Sequence, residues 1–289
     1  MLISVENCLT GVELCGIINI ENRKGACRFV DTSLENNASS TVDGVRAIEL
    51  FYRPIKETAG NETVFYQSQI RFNAPSMGVL MPSRYAAVLE ASPKSIQIFE
   101  LAFQQFLKAL GIFTERGVSY DWISICMPVQ YLKKAGCADS VLAMCKKALI
   151  KPERVCFEFS PAILDETDGM AASTIKELTS FDFHVMITGI GGSCPILKLG
   201  EFYADYIMLT PQATVISSDD DRSFACLKAI VSLGDTLGAD SIICDVIEKS
   251  QLKNLKELEC SYYTGKLSGT FMAEKYVRAR NSVNINSES

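Results

Sequence analysis

The residues able to do chemistry in this chain are carboxylates, because the other usual agents are scarce. His184 is the single histidine among 289 residues, which removes Ser-His-Asp and Cys-His schemes unless that one side chain serves in them. It stands in the run Phe181-Asp-Phe-His-Val-Met-Ile187 and reads as a satisfied core histidine. The 11 cysteines are an odd count with no Cys-x-x-Cys pair, so zinc and thioredoxin-type readings are weak. Cys126 and Cys156 lie inside apolar segments, where cysteine acts as a small buried hydrophobe with a reduced thiol. What remains are acids and an arginine at the ends of apolar runs: Glu49 with Arg53, Glu158, and Asp245 with Glu248. Acidic groups brought together in this way hold divalent cations or move protons.

Positioning them requires a regular scaffold, and the sequence supplies one. Val45–Tyr52 reads as a strand and 64–72 as a second. From Ser92 onward strands and helices alternate without a break. The stretch Ser95–Phe113 carries Ile98, Phe99, Ala102, Phe103, Phe106 and Leu110 at helical spacing. Strands are predicted at 122–127, 154–159, 183–188, 205–209, 241–244 and 260–263. Helices are predicted at 129–149, 173–179, 197–202, 220–237 and 249–258. Such alternation implies parallel strands joined by helical crossovers, and this many units favour a closed (β/α)₈ TIM-type barrel over an open doubly wound sheet. The βα loops of a barrel converge at the C-terminal ends of its strands, which here are Glu49–Arg53, Cys126, Glu158, Thr188 with Gly189, Met208–Thr210, and Asp245 with Glu248. Residues 217–221, Ser-Ser-Asp-Asp-Asp, precede an apolar periodic segment and read as a helix start rather than a metal site. The Gly-rich run 189–192 fits no phosphate-loop spacing.

Composition narrows the classes further. With 48% hydrophobic and 21% charged residues the chain can bury a core, and a net charge of -6 offers no field for a polyanion, so direct nucleic-acid binding is not expected. Residues 1–20 lack the basic start and apolar run of a signal peptide, no stretch reaches membrane-span length, and a cytoplasmic protein with no membrane association is expected. The expected domain is one barrel over residues 1–280, with irregular strands and loops over 1–45, among them a loop at 35–40, and an unstructured tail over 281–289.

The order of these segments resembles the EAL domain, the cyclic di-GMP phosphodiesterase module of bacterial signalling, an irregular TIM barrel. Glu49-Leu-Phe-Tyr-Arg-Pro54 resembles the signature Glu-Ala-Leu-Leu-Arg-Trp, and Gly78–Tyr85 with the following helix resembles the family's Pro-x-x-Phe-Ile segment. Ile123–Cys126 resembles Val-Asn-Leu-Ser, with Cys126 placed where a metal-binding asparagine belongs. Phe157–Pro161 resembles Leu-Glu-Ile-Thr-Glu, keeping Glu158 and replacing the second glutamate by Pro161. Thr188-Gly189 takes the place of two aspartates, Met208 that of a lysine, and Cys244–Glu248 resembles Ala-Glu-Gly-Val-Glu.

The resemblance therefore implies the fold, with metal positions Glu49, Cys126, Glu158, Thr188, Gly189 and Asp245 short of the oxygen donors that two Mg²⁺ ions need. On this reading the chain is a non-enzyme without catalytic residues or cofactor, Mg²⁺ at most weakly held. It acts through an unidentified regulatory protein partner and is open to homodimerisation. The alternatives are a receptor that binds cyclic di-GMP without hydrolysis through Glu49, Arg53, Glu158 and Glu248, a residual phosphodiesterase, or an unrelated barrel enzyme.

Overall fold

The computed structural model describes residues 45–74, 78–90, 92–216 and 220–279, preceded by short strands at Val12–Leu14, Ile18–Arg23, Ala26–Val30 and Thr41–Val42. The predicted loop 35–40 and tail 281–289 lie outside the described residues. The first three short strands form an antiparallel ribbon.

Eight strands close into a barrel: β1 (Ile48–Glu57), β2 (Thr63–Ala74), β3 (Ile123–Cys126), β4 (Val155–Phe159), β5 (His184–Ile190), β6 (Tyr206–Leu209), β7 (Asp240–Ile243) and β8 (Tyr262–Thr264). From β2 to β8 every neighbouring pair is parallel, whereas β1 runs antiparallel to both β2 and β8 and seals the ring. The reason is local. The connection 58–62 is too short for a crossover helix, and Asn61 at φ 57° turns it into a hairpin. Short strands Gly78–Leu80 and Met272–Ala273 add to β2 and β1 above the ring.

The outer layer comprises α1 (Pro82–Glu90), α2 (Ser95–Glu115), α3 (Val129–Leu132), α4 (Cys137–Ala148), α5 (Met170–Ser180), α6 (Pro211–Thr214), α7 (Asp221–Leu237) and α8 (Gln251–Glu257). Among them α2 shows most directly how the sequence makes the layer: each of its periodic apolar residues is buried, and Phe99 and Phe103 meet Phe157 of β4. The helix predicted over 129–149 is two helices, because the chain turns through Gly136 at φ 68° before α4 begins. The predicted helix 197–202 is a 3₁₀ segment, Ile196–Glu201. Asp220 caps α7 by accepting the Ser223 N–H, as the acidic run ahead of that helix implied. Among the described residues no helix is long and apolar enough to cross a membrane.

Side chains fill the barrel in layers. At its N-terminal end Phe65 stacks on Trp122 with ring centroids 4.0 Å apart, and Tyr206 and Tyr262 meet Phe65 edge-on. Above them Ile55, Cys156, Met186, Met208, Ile242 and Cys244 complete an apolar interior. His184 begins β5 and so belongs to the closed end, remote from the mouth, in keeping with a structural role. Its Nδ1 stands 3.8 Å from Asp205, which also accepts the Val185 N–H at 2.8 Å and the Tyr203 hydroxyl at 3.1 Å. Burial opposes the charge on Asp205, but these partners outweigh it and hold the carboxyl below its ordinary range.

A carboxyl held low contributes stability above its unfolded pKa and loses it as pH falls through the folded value. Replacing Asp205→Asn is expected to cost about 1 to 2 kcal/mol at pH 7, with the difference from the parent shrinking as pH drops below the carboxylate range. Urea unfolding of both proteins over a pH series checks the sign.

Candidate functional site

At the opposite end the parallel strands stop at different heights around a mouth. The β1–β2 ladder pairs Arg53 with Gln67, the β2–β3 ladder pairs Gln67 with Ser124, and the β3–β4 ladder pairs Cys126 with Glu158. Side-chain alternation turns all of these inward. Arg53 Nε donates to Gln67 Oε1 at 2.8 Å, and Gln67 Nε2 donates to Glu158 at 2.8 Å on Oε2 and 3.0 Å on Oε1. Ser124 donates to Glu158 Oε2 at 3.1 Å, and the Met208 sulfur approaches Gln67 Nε2 at 3.7 Å. Arg53 also meets Asp245 at 3.3 Å and lies over the Phe271 ring, its carbon 4.6 Å from the centroid.

Desolvation in the mouth pushes the Glu158 carboxyl upward, and Gln67, Ser124 and Arg53 counter it. Cys126, expected from sequence to be a buried hydrophobe, is instead exposed to this space, and desolvation by the surrounding walls, followed by the nearby Glu158 and Glu90, raises its thiol. These groups form the polar end of a cavity of about 560 Å³ whose other wall is apolar: Ile70, Pro82, Tyr85, Leu89, Ile98 and Phe99. Glu90 of α1 lines it too, accepting the Val129 N–H at 2.7 Å, with its carboxyl pushed up by burial. The volume and the mixed lining suit a ligand of small-molecule size.

The predicted residues do not all gather here. Arg53, Cys126, Glu158 and Asp245 line the cavity. Glu49 does not: it pairs with Arg71, four residues or about 13 Å further along β1 than Arg53, and accepts from Asn73. Glu248 is exposed on the rim, bonded to Ser250. Thr188 turns its hydroxyl to the Phe159 carbonyl at 3.1 Å. Gly189 adopts φ +74°, and a Cβ there would overlap the Pro161 ring at Cγ. Two separate departures in sequence are thus one packing arrangement, the proline ring filling the space beside the glycine.

Gln67 is the residue that sequence reasoning missed, and a signal for it exists. Gln67-Ser-Gln-Ile-Arg-Phe72 fits the six-residue signature quoted above in register, with arginine and an aromatic in the last two places. The geometry moves the signature from Glu49–Pro54 to this segment, so its glutamate position falls on Gln67, in contact with Glu158.

The fold is that of the EAL-type barrel, and its mouth is the candidate site. The chain belongs to the EAL domain family, whose sequence profile matches residues 40–270. It is 24% identical over 243 residues to the cyclic di-GMP phosphodiesterase RocR of Pseudomonas aeruginosa, a match covering 82% of this chain and 62% of RocR. It is 21% identical over 270 residues to the bifunctional diguanylate cyclase/cyclic di-GMP phosphodiesterase MucR of the same organism, covering 90% of this chain and 39% of MucR. The chain therefore spans less than two thirds of the length of these relatives. The MucR phosphodiesterase structure in complex with cyclic di-GMP superposes with a TM-score of 0.71 at 19% identity, over 79% of this chain and 93% of that one. The Klebsiella pneumoniae BlrP1 manganese/cyclic di-GMP complex gives 0.66 at 15%, over 79% and 57%. At these identities the structural likeness shows the fold.

These relatives correct one expectation. The losses at ligand positions imply a non-enzyme, yet the family is shared with proteins named as phosphodiesterases, and kinship points toward enzymes. The donor set at the mouth is a separate observation. Among the described residues no three His, Cys, Asp or Glu side chains converge as metal ligands, and both Glu158 oxygens already accept an amide N–H, so the groups present do not fit a two-cation centre.

The contact at Gly189 is directly testable. Gly189→Ala is expected to destabilise the protein by about 1 to 3 kcal/mol, and by less when Pro161→Ala is introduced with it, because the ring clash vanishes while the backbone strain stays. Chemical denaturation of the two single variants and the double variant measures that coupling.

Proposed function

We propose that this EAL barrel binds cyclic di-GMP at its mouth. The observation that carries the reading is a cavity of about 560 Å³ with Arg53 at its polar end and aromatic and aliphatic walls beside it, in a member of the EAL family. A guanidinium suits a phosphodiester through paired N–H donors, and Pro82 and Tyr85 offer surfaces for purine rings. Arg53 is already oriented by Gln67, Asp245 and Phe271, so little side-chain freedom is left to lose on binding. Glu158 acts from behind, fixing the Gln67 amide that fixes Arg53. The barrel is taken as one unit reaching to residue 280, and the setting as the bacterial cytoplasm, in line with eight free cysteines among the described residues.

A second reading, hydrolysis of the same ligand, is favoured by the names of the curated relatives. Calorimetric titration with cyclic di-GMP, run beside a turnover assay with Mg²⁺ or Mn²⁺ in excess, tests both. Saturable binding weakened about tenfold or more by Arg53→Ala supports the proposal. Accumulation of linear dinucleotide supports it as well and adds the reaction. Absence of binding and of turnover overturns it and leaves action through protein contacts as the reading of this chain.

A further inference from the structure

We propose that the mouth takes its dinucleotide without a divalent cation, the Gln67 amide standing between Arg53 and Glu158 where a cation would have to sit. The inference rests on the binding site proposed above and goes beyond it by naming what neutralises the buried carboxylate.

A cation on Glu158 would have to displace partners that already use three of that carboxylate's roughly four lone-pair sites: Gln67 Nε2 lies 3.0 Å from Oε1 and 2.8 Å from Oε2, with Ser124 Oγ 3.1 Å from Oε2. The amide cannot turn over to offer its own oxygen instead. Gln67 Oε1 accepts from Arg53 Nε at 2.8 Å, so reversal would set N–H against guanidinium and carbonyl against carboxylate. Positive charge on one side and negative on the other hold it in one orientation. Arg53 thereby answers Glu158 through a neutral amide.

Among the described residues the ends of β4 and β5 supply no compensating donor, and Glu90, which lines the cavity from α1, already accepts the Val129 N–H at 2.7 Å. Gly189 brings no side chain, and the Pro161 ring occupies the space where one would begin. Thr188 spends its hydroxyl on the Phe159 carbonyl. Asp245 is tied to Arg53 and 52% exposed, out on the rim.

The experiment has two arms that can fail separately. In the first, cyclic di-GMP is titrated into the protein with excess Mg²⁺ and again with excess EDTA; affinities within about twofold of each other support the inference, and a loss of about tenfold or more in EDTA overturns it. Turnover that requires the metal overturns it as well. The second arm uses no nucleotide, so it stands even if the binding proposal falls. Free Mn²⁺ is followed by electron paramagnetic resonance as protein is added. The parent protein is expected to show no saturable site, whereas Gln67→Glu, which sets two carboxylates against each other, is expected to gain one that Glu158→Gln removes again. Saturable Mn²⁺ binding by the parent that disappears in Glu158→Gln, or a folded Gln67→Glu protein that gains no Mn²⁺, overturns the inference.

Discussion

The site exists because β1 runs against its neighbours. Its ladders to β2 on one side and β8 on the other close a ring whose remaining strands are all parallel, and the β1–β2 register sets Arg53 opposite Gln67. A slip of β1 by one residue would turn Arg53 away from Gln67 and take the Ile55 side of the strand out of the barrel interior. Closure and chemistry thus depend on the same hairpin. The buried Thr264 hydroxyl and Ser268 hydroxyl both donate to the Pro54 carbonyl, tying the β8 end to β1 next to Arg53.

Inside that ring the dominant energetic problem is one carboxylate. Glu158 emerges from a strand that is otherwise buried and apolar, and an ionised group there needs partners to offset its lost hydration. The mouth meets the need with an amide, a hydroxyl and, one step away, a guanidinium. Below them lies a layer of sulfur and aliphatic side chains, including Met186 and Met208, whose one contact with the network is the weakly accepting Met208 sulfur 3.7 Å from Gln67 Nε2. The cavity inherits this polarity gradient, charged against the strand ends and, but for Glu90, apolar against α1 and α2.

Much of the scaffold was legible in the residues alone. Hydrophobic periodicity located α2 and the strands from 122 to 263, since those patterns record which side of each element is buried. The helix start at Asp220 was legible for the same kind of reason, a local hydrogen bond between neighbours in sequence. The break at Gly136 was missed because a positive φ at one glycine leaves the apolar spacing around it intact.

What the sequence determined by itself was the alternation of elements, the barrel they build and the acids placed at strand ends, all properties of residues close together in the chain. Only the tertiary structure decided which residue of the β1–β2 hairpin reaches Glu158. Glu49 and Gln67 are 18 positions apart and share the inward side of one hairpin, and residue type alone favours the carboxylate; the ladder register decides otherwise, bringing Gln67 to Glu158 and leaving Glu49 beside Asn73. The pairing of Pro161 with Gly189 was hidden for the same physical reason: Pro161 follows β4 and Gly189 lies near the end of β5, and only the parallel pairing of the two strands brings ring and backbone into contact.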